Sequence, residues 1–419
     1  MRKHIKKVIS HPLISGSTII FIGSFGGNIL NYLFNLSAGR LLSINDYRIL
    51  ISLTALITLL MLFQSAWTNV FTKLAAKYAH QGISSQGYLI RSGVKLTFSV
   101  GAVYLAVLIL LIQPISLYLH IDNTLVVLTM LCSVFFAIAG SLPSGILQGN
   151  LKFIWASLSN IAGALGKLII GVILIIFGWG LFGAALAVLF AFIIPYIFSM
   201  TYVLKKYNLE NSKDKTHVDF FAEFKKISGA FFIASIAITV LQGTDVIFAS
   251  HYLSDIEAGQ YAALSLMGKA IFYITSPIYF VFFPLIAHKK EKNENTSGTI
   301  LLASTIIFLC SGFLTFIYFA FPSLVLKIFF PDPVYQPLTA YLGFYSIYIM
   351  IFSFCFLLYN FFLSAGKIGV YKINLAIAIL YIFSLFVYHR TIWDFIIVLT
   401  FSSFLLLILL LVYYKHYEH

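Results

Sequence analysis

The chain has 419 residues, of which 60% are hydrophobic and only 10% charged, against about 45–50% and about 25% in soluble domains, so a water-soluble globular protein is excluded. Its formal charge of +13 would suit a nucleic-acid binder, but the lysines and arginines lie in short loops between apolar runs, as juxtamembrane charges do, and no nucleic-acid partner is implied. The apolar runs recur along the whole chain at about 20 residues each, the length that crosses a bilayer.

Taken in chain order, these runs predict about twelve spans: 13–38, 49–72, 94–113, 124–148, 152–177, 181–204, 227–250, 258–287, 298–321, 337–363, 368–388 and 393–414. The basic start, MRKHIKK, resembles the head of a signal peptide, but the apolar run after it is long and lacks a small-x-small cleavage site. It is read as a retained first helix. Backbone groups cannot stay unpaired in lipid, and continuous apolar runs without period-2 alternation favour helices over a barrel. The expected class is an all-α polytopic membrane protein.

Orientation follows from the positive charges. Of the 27 lysines and arginines, 21 lie on the side of the N-terminus; Arg40, Arg48, Lys327 and Arg390 lie on the other side, and Lys167 and Lys269 fall within spans. This bias predicts a multi-pass protein of the cell (inner) membrane with both termini cytoplasmic. Every outer loop is short, so no extracytoplasmic catalytic domain is expected. The long polar break at 205–226 reads as a cytoplasmic linker between bundles of six helices, 1–204 and 227–419. Cys132, Cys310 and Cys355 fall inside spans without metal-ligand spacing and read as small packing residues. No cofactor, metal or catalytic motif is found.

The two halves share a feature where their first two helices join. LLSINDYRILISL (41–53) parallels YLSDIEAGQYAALSL (252–266): each has Leu-Ser, an acidic turn, and a Tyr opening a long helix. Two halves of equal topology imply a parallel repeat, as in alternating-access transporters. TDVIFASHYLSDIEAGQYAALSLMGKAIFYITSPIYFVFFP resembles the D-x-x-x-x-x-x-Y-L-S-x-x-E-A-G-x-Y…GK…P…FP region of polysaccharide-export proteins, the Wzx-type oligosaccharide flippases of the MOP superfamily. SAGRLLSINDY (37–47) is similar to their first-half version, with Arg48 where Gly is more common. The stretch 145–188 is similar to their fifth and sixth helices. The resemblance implies two six-helix bundles facing a central cationic cleft, and transfer of a polyprenyl-diphosphate-linked oligosaccharide, the repeat unit of a polysaccharide, from the cytoplasmic to the outer leaflet. Membrane lipids, glycan polymerase machinery and a coupling ion, proton or sodium, are the further partners it implies.

Polar residues recur on one face of two repeat-equivalent helices. The first helix carries Ser24, Asn28, Asn31 and Asn35; the seventh carries Ser235, Thr239, Gln242 and Asp245. Such stripes either line a hydrated cleft, where amides bond sugar hydroxyls, or join helices by hydrogen bonds worth about 0.6 kcal/mol each. Lys269 lies about 16 Å into the eighth helix at 1.5 Å per residue, with Ser265, Tyr273 and Ser276 on its face. A lysine at this depth costs about 2.5–3.5 kcal/mol and calls for a partner or a role. For Lys269 the candidates are an ion pair with Asp245 and the substrate diphosphate; for Lys167 they are the substrate, snorkelling and a backbone carbonyl. Asp245 is also a candidate for ion coupling. Arg40 and Arg48 read as interfacial anchors, with phosphate release as the alternative.

Other signals are bland. GALGK around Lys167 lacks the glycine and hydroxyl positions of a phosphate loop. Gly145 and Gly149 form a packing GxxxG, and the row Tyr341, Tyr345, Tyr348 and Phe352 either stacks sugars or fills a core. Two function classes stand beside the flippase: a cation-coupled multidrug exporter of the same superfamily, and a membrane glycan polymerase or acyltransferase. A non-transporting scaffold of a glycan-assembly complex is a third. No paired acid/base motif supports an enzyme.

Overall fold

A chain in lipid must pair its backbone N–H and C=O groups internally, and this one does so with helices. The computed structural model describes residues 12–79, 83–207, 224, 237, 239–291, 295–365 and 368–418, and no strand occurs among them. The elements are α1 (Pro12–Leu41), α2 (Ile44–Leu60), α3 (Leu62–Ala79), α4 (Ile83–Leu110), α5 (Ile112–Leu119), α6 (Thr124–Gly149), α7 (Phe153–Leu174) and α8 (Gly180–Lys206). They continue with α9 (239–252), α10 (Asp255–Glu291), α11 (Ser297–Ala320), α12 (Pro322–Phe329), α13 (Leu342–Ser364), α14 (Tyr371–Val387) and α15 (Ile392–Glu418). Eleven of the twelve expected spans coincide with described helices, α2 and α3 together making the second, and of the seventh only 239–250 is described as helix. Most of the expected linker and the start of the seventh span, Ser235 included, lie outside the described residues.

Six helical stretches among the described residues are long and apolar enough to cross a bilayer, and a seventh if α2 and α3, bent by 41°, form one span. One of the six, Phe153–Lys206, is 54 residues long, which as one straight rod would reach about 80 Å, far more than a bilayer core of about 30 Å. The chain instead breaks in the π-turn Ile175–Trp179, where Gly178 takes φ +88°, a conformation that costs a glycine little. The returning α8 lies antiparallel to α7: Ser159 Oγ donates to the Pro195 carbonyl at 3.1 Å and Ser199 Oγ to Ser159 Oγ at 2.7 Å.

The chain forms two compact units, residues 1–34 with 53–239, and residues 35–52 with 240–419. Each contains a long helix, an eight-residue helix and a second long helix in succession: α4, α5 and α6 in the first, α11, α12 and α13 in the second. This correspondence extends the repeat beyond the Leu-Ser turns.

Those turns are helix caps. Ser254 and Glu257 form a reciprocal capping box on α10, with Ser254 N donating to Glu257 Oε2 at 3.3 Å and Glu257 N to Ser254 Oγ at 3.4 Å. Ser43 Oγ accepts from Asp46 N at 3.1 Å at the start of α2. The two serines and Glu257 thus satisfy N-terminal amides that lipid could not. Within the first unit, Gly145 and Gly149 let α6 lie against α3; a Cβ on Gly145 would meet the Thr68 carbonyl at 2.9 Å. The GxxxG is a packing device. Tyr345, Tyr348 and Phe352 are buried in the second unit, so most of the aromatic row is core.

Candidate functional site

In the first unit the polar face of α1 meets α7. Gly23 approaches Ser157, Gly27 approaches Asn160 and Phe34 covers Gly171, so the two helices run parallel in close contact. Residues 27, 31 and 34 share one face at helical spacing. Asn31 Nδ2 donates to the Gly27 carbonyl at 3.0 Å, which turns its Oδ1 toward Lys167 Nζ at 3.3 Å. The same ammonium lies 4.5 Å from the centroid of the Phe34 ring. Phe34 reaches that place because residue 171 has no side chain; a Cβ there would strike the ring.

Lys167 is 6% exposed, and its partners are a neutral amide and a ring. Among the described residues of the first unit the acidic ones reduce to Asp122, in the turn before α6. A hydrogen bond from a charged donor contributes about 1.5–3 kcal/mol and a desolvated cation–π contact about 2 kcal/mol. Together they offset an insertion cost of about 2.5–3.5 kcal/mol without cancelling the charge. The site is therefore a preformed, buried positive centre. Asn28, one turn before, is half-buried.

The second unit buries the opposite charge. Asp245, 2% exposed on α9, accepts the Tyr261 hydroxyl on Oδ2 at 2.7 Å and the Tyr345 hydroxyl on the same oxygen at 3.4 Å. Tyr348 donates to the Leu241 carbonyl one turn earlier at 3.4 Å. Phenolic donors from α10 and α13 thus hold the carboxylate in place of a cation. Lys269, half-buried on α10, makes no hydrogen bond or ion pair to any described residue, Asp245 included. Ser265, one turn before it, is buried beside the Tyr345 hydroxyl. Gln242 and Thr239 are half-buried on α9, and Asn35 is half-buried near the end of α1.

The arginines differ from each other. Arg40 is exposed, and its Nε donates to the Phe329 carbonyl at 2.8 Å and its Nη2 to the Ile328 carbonyl, so it caps the C-terminus of α12. Arg48 is 1% exposed and ties three segments together. It bonds Asn45 Oδ1 through Nε at 3.0 Å and Ser250 Oγ through Nη1 at 2.9 Å, and it pairs with Asp255 Oδ1 at 3.2 Å. The reading of Arg48 as an interfacial anchor is corrected by this burial. The structure brings together Asn31 and Lys167 from the expected residues; between Asp245 and Lys269 it shows an electrostatic interaction but no ion-pair contact. Phe34 was not singled out, and Tyr261 and Tyr345 were noted only as the tyrosine of the repeat motif and as a member of the aromatic row. Phe34 stands at i+3 from Asn31 and was open to such a reading, whereas nothing in spacing links Tyr345 to a carboxylate 100 positions away.

The fold is that of the MOP-superfamily transporters. An inward-facing multidrug-resistance MATE-family transporter of that superfamily matches 93% of this chain and 95% of its own at a TM-score of 0.70 and 13% identity. An outward-facing conformation matches 97% and 96% at 0.69 and 12%. A MOP-superfamily transporter from Pyrococcus furiosus, described as having a binding pocket of reverse polarity that suggests a different function, matches 96% and 95% at 0.62 and 13%. No curated protein sequence matches the chain. A family model does: residues 13–290, more than half of the chain, match the polysaccharide biosynthesis protein family, and the chain belongs to it. It is a multi-pass membrane protein of a transporter fold.

Proposed function

We propose that this protein is a flippase that carries a polyprenyl-diphosphate-linked oligosaccharide from the cytoplasmic to the outer leaflet by alternating access. The observation that carries the reading is the burial of Lys167 beside Asn31 and Phe34, with no carboxylate partner among the described residues. A diphosphate must bring negative charge into a medium that penalises it, and a preformed cation offsets that penalty. Lys167 does so in the first unit and Lys269, which makes no hydrogen bond or ion pair to a described residue, in the second. Asn28, Asn31, Asn35 and Gln242 offer amides to the sugar hydroxyls. Arg40 acts from the outer end. Asp245 in its tyrosine cage takes the coupling ion, proton or sodium.

In this reading the two six-helix bundles, 1–204 and 227–419, are joined by a cytoplasmic linker at 205–226, and both termini face the cytoplasm of the cell membrane. The chain performs no covalent chemistry; a glycan polymerase takes up the product. A multidrug exporter would present a buried cation to cationic cargo, which is repulsive, so the polarity favours the anionic lipid. The Pyrococcus furiosus relative, whose pocket of reverse polarity is described as suggesting a different function, shows that pocket polarity varies within the fold. The test is transport of a labelled polyprenyl-diphosphate glycan in proteoliposomes: the reading expects flipping, and export of hydrophobic cations without glycan transfer would replace it.

A further inference from the structure

At one end of the second unit, a cavity of about 210 Å³ opens between the α1–α2 turn and the segment after α12. Its walls are fixed before any ligand arrives. Gly39 lies so close to the Phe330 ring that a side chain there would collide with it. Phe330 in turn packs on Tyr335 at 4.8 Å and on Tyr47 at 6.0 Å. Gln260 Nε2 ties down the far wall through the Val334 carbonyl at 2.6 Å, and Arg40 is pinned to the carbonyls of 328 and 329. Rigid walls of this kind lower the ordering cost of binding.

The polar groups that remain are of mixed character. Arg40 keeps Nη1 uncommitted, and Ser43 Oγ, which accepts from Asp46 N, keeps its proton to donate. Asp332 caps Val334 N with Oδ1 at 2.9 Å and leaves Oδ2 free. Tyr335 is 3% exposed and lines the cavity. Burial, and then the nearby Asp332 carboxylate, push its hydroxyl up to about 12, so it stays a donor across the physiological range. The charges of Arg40 and Asp332 cancel, which disfavours a phosphate; a lining that combines these donors and acceptor with the Phe330 and Tyr335 rings suits the hydroxyls and apolar face of a pyranose.

We propose that this cavity binds one neutral sugar ring, its hydroxyls on Arg40, Ser43, Asp332 and Tyr335 and its apolar face on Phe330. The inference rests on the flippase reading and deepens it: with the charge-derived orientation, the cavity lies at the outer end, where a sugar of the transferred glycan emerges. It acts as a catch that favours forward release over return.

The test uses the full chain in nanodiscs, with saturation-transfer difference NMR against neutral hexoses and N-acetylhexosamines, and with inorganic phosphate and phosphoethanolamine as competitors. A Kd on the order of a few millimolar is expected for one small ring. Tyr335→Phe should weaken it about fivefold and Asp332→Asn about tenfold; both keep the local shape, since asparagine still caps and phenylalanine still packs. Lys167→Met and Lys269→Met should leave it unchanged while reducing glycan flipping. No saturation transfer to any sugar, binding insensitive to both cavity variants, or displacement by phosphoethanolamine overturns the proposal. Sugar binding that fails while glycan flipping persists overturns the cavity alone; cavity binding with no flipping overturns the flippase reading instead.

Discussion

Replacing Lys167 with methionine separates a substrate contact from a structural one. In the ligand-free protein the change removes a charged hydrogen bond to Asn31, worth about 1.5–3 kcal/mol, and a cation–π contact of about 0.5–2 kcal/mol. It also removes an intramembrane charge that costs about 2.5–3.5 kcal/mol. The two sides cancel to within about 2 kcal/mol, so thermal stability should stay near that of the unaltered protein. In the flippase reading, the variant also loses a charge-assisted contact to the bound diphosphate of about 1.5–3 kcal/mol, or about 10- to 150-fold in affinity at 1.4 kcal/mol per decade. The assay is the initial flipping rate of a fluorescent polyprenyl-diphosphate glycan in proteoliposomes at subsaturating substrate, with a melting curve of the same preparation. Lys167→Arg should retain part of the rate. An unchanged rate in Lys167→Met, or a rate loss matched by a collapse of the melting curve, would refute the reasoning.

Three further outcomes follow from the packing. Tyr261→Phe leaves the buried Asp245 with a single long hydrogen bond and should destabilise the protein by roughly 1.5–3 kcal/mol, read as a lowered melting temperature in detergent. Gly145→Ala drives a methyl group into the Thr68 carbonyl and the Phe71 side chain and should cost about 1–3 kcal/mol, whereas alanine at Gly140, which has open space, should cost nothing measurable. Glu257→Ala breaks the capping box of α10 and should lower stability by about 0.5–2 kcal/mol, with Glu257→Gln close to the unaltered protein.

The helices were legible in the sequence because lipid leaves a chain few options: apolar length and basic ends place nearly every span to within a turn or two. Breaks were less so. The bend between α2 and α3 at Met61 has no proline or glycine to announce it, whereas the reversal at Gly178 falls where one expected span ends at 177 and the next opens at 181. At the site, polarity alone flagged Asn31 and Lys167, since each is anomalous in its own helix. Their pairing across 136 positions is a tertiary fact. Phe34 was hidden among 42 phenylalanines. Charge counting offered Lys269 as the partner of Asp245, but hydroxyls satisfy a carboxylate as well as an ammonium does, and the tyrosines that supply them look like ordinary core. Arg48 misled for the same reason: an arginine near a helix start looks interfacial until Asn45, Ser250 and Asp255 are seen around it.

The most direct test of the central claim is the lipid-linked glycan pool of a clean deletion strain, extracted and sorted by leaflet accessibility. The flippase reading predicts accumulation of completed polyprenyl-diphosphate glycan facing the cytoplasm, reversed by the unaltered gene and not by one encoding Lys167→Met. A pool of unchanged size and normal outer exposure in the deletion strain, with hydrophobic cations retained inside the cells, would contradict it.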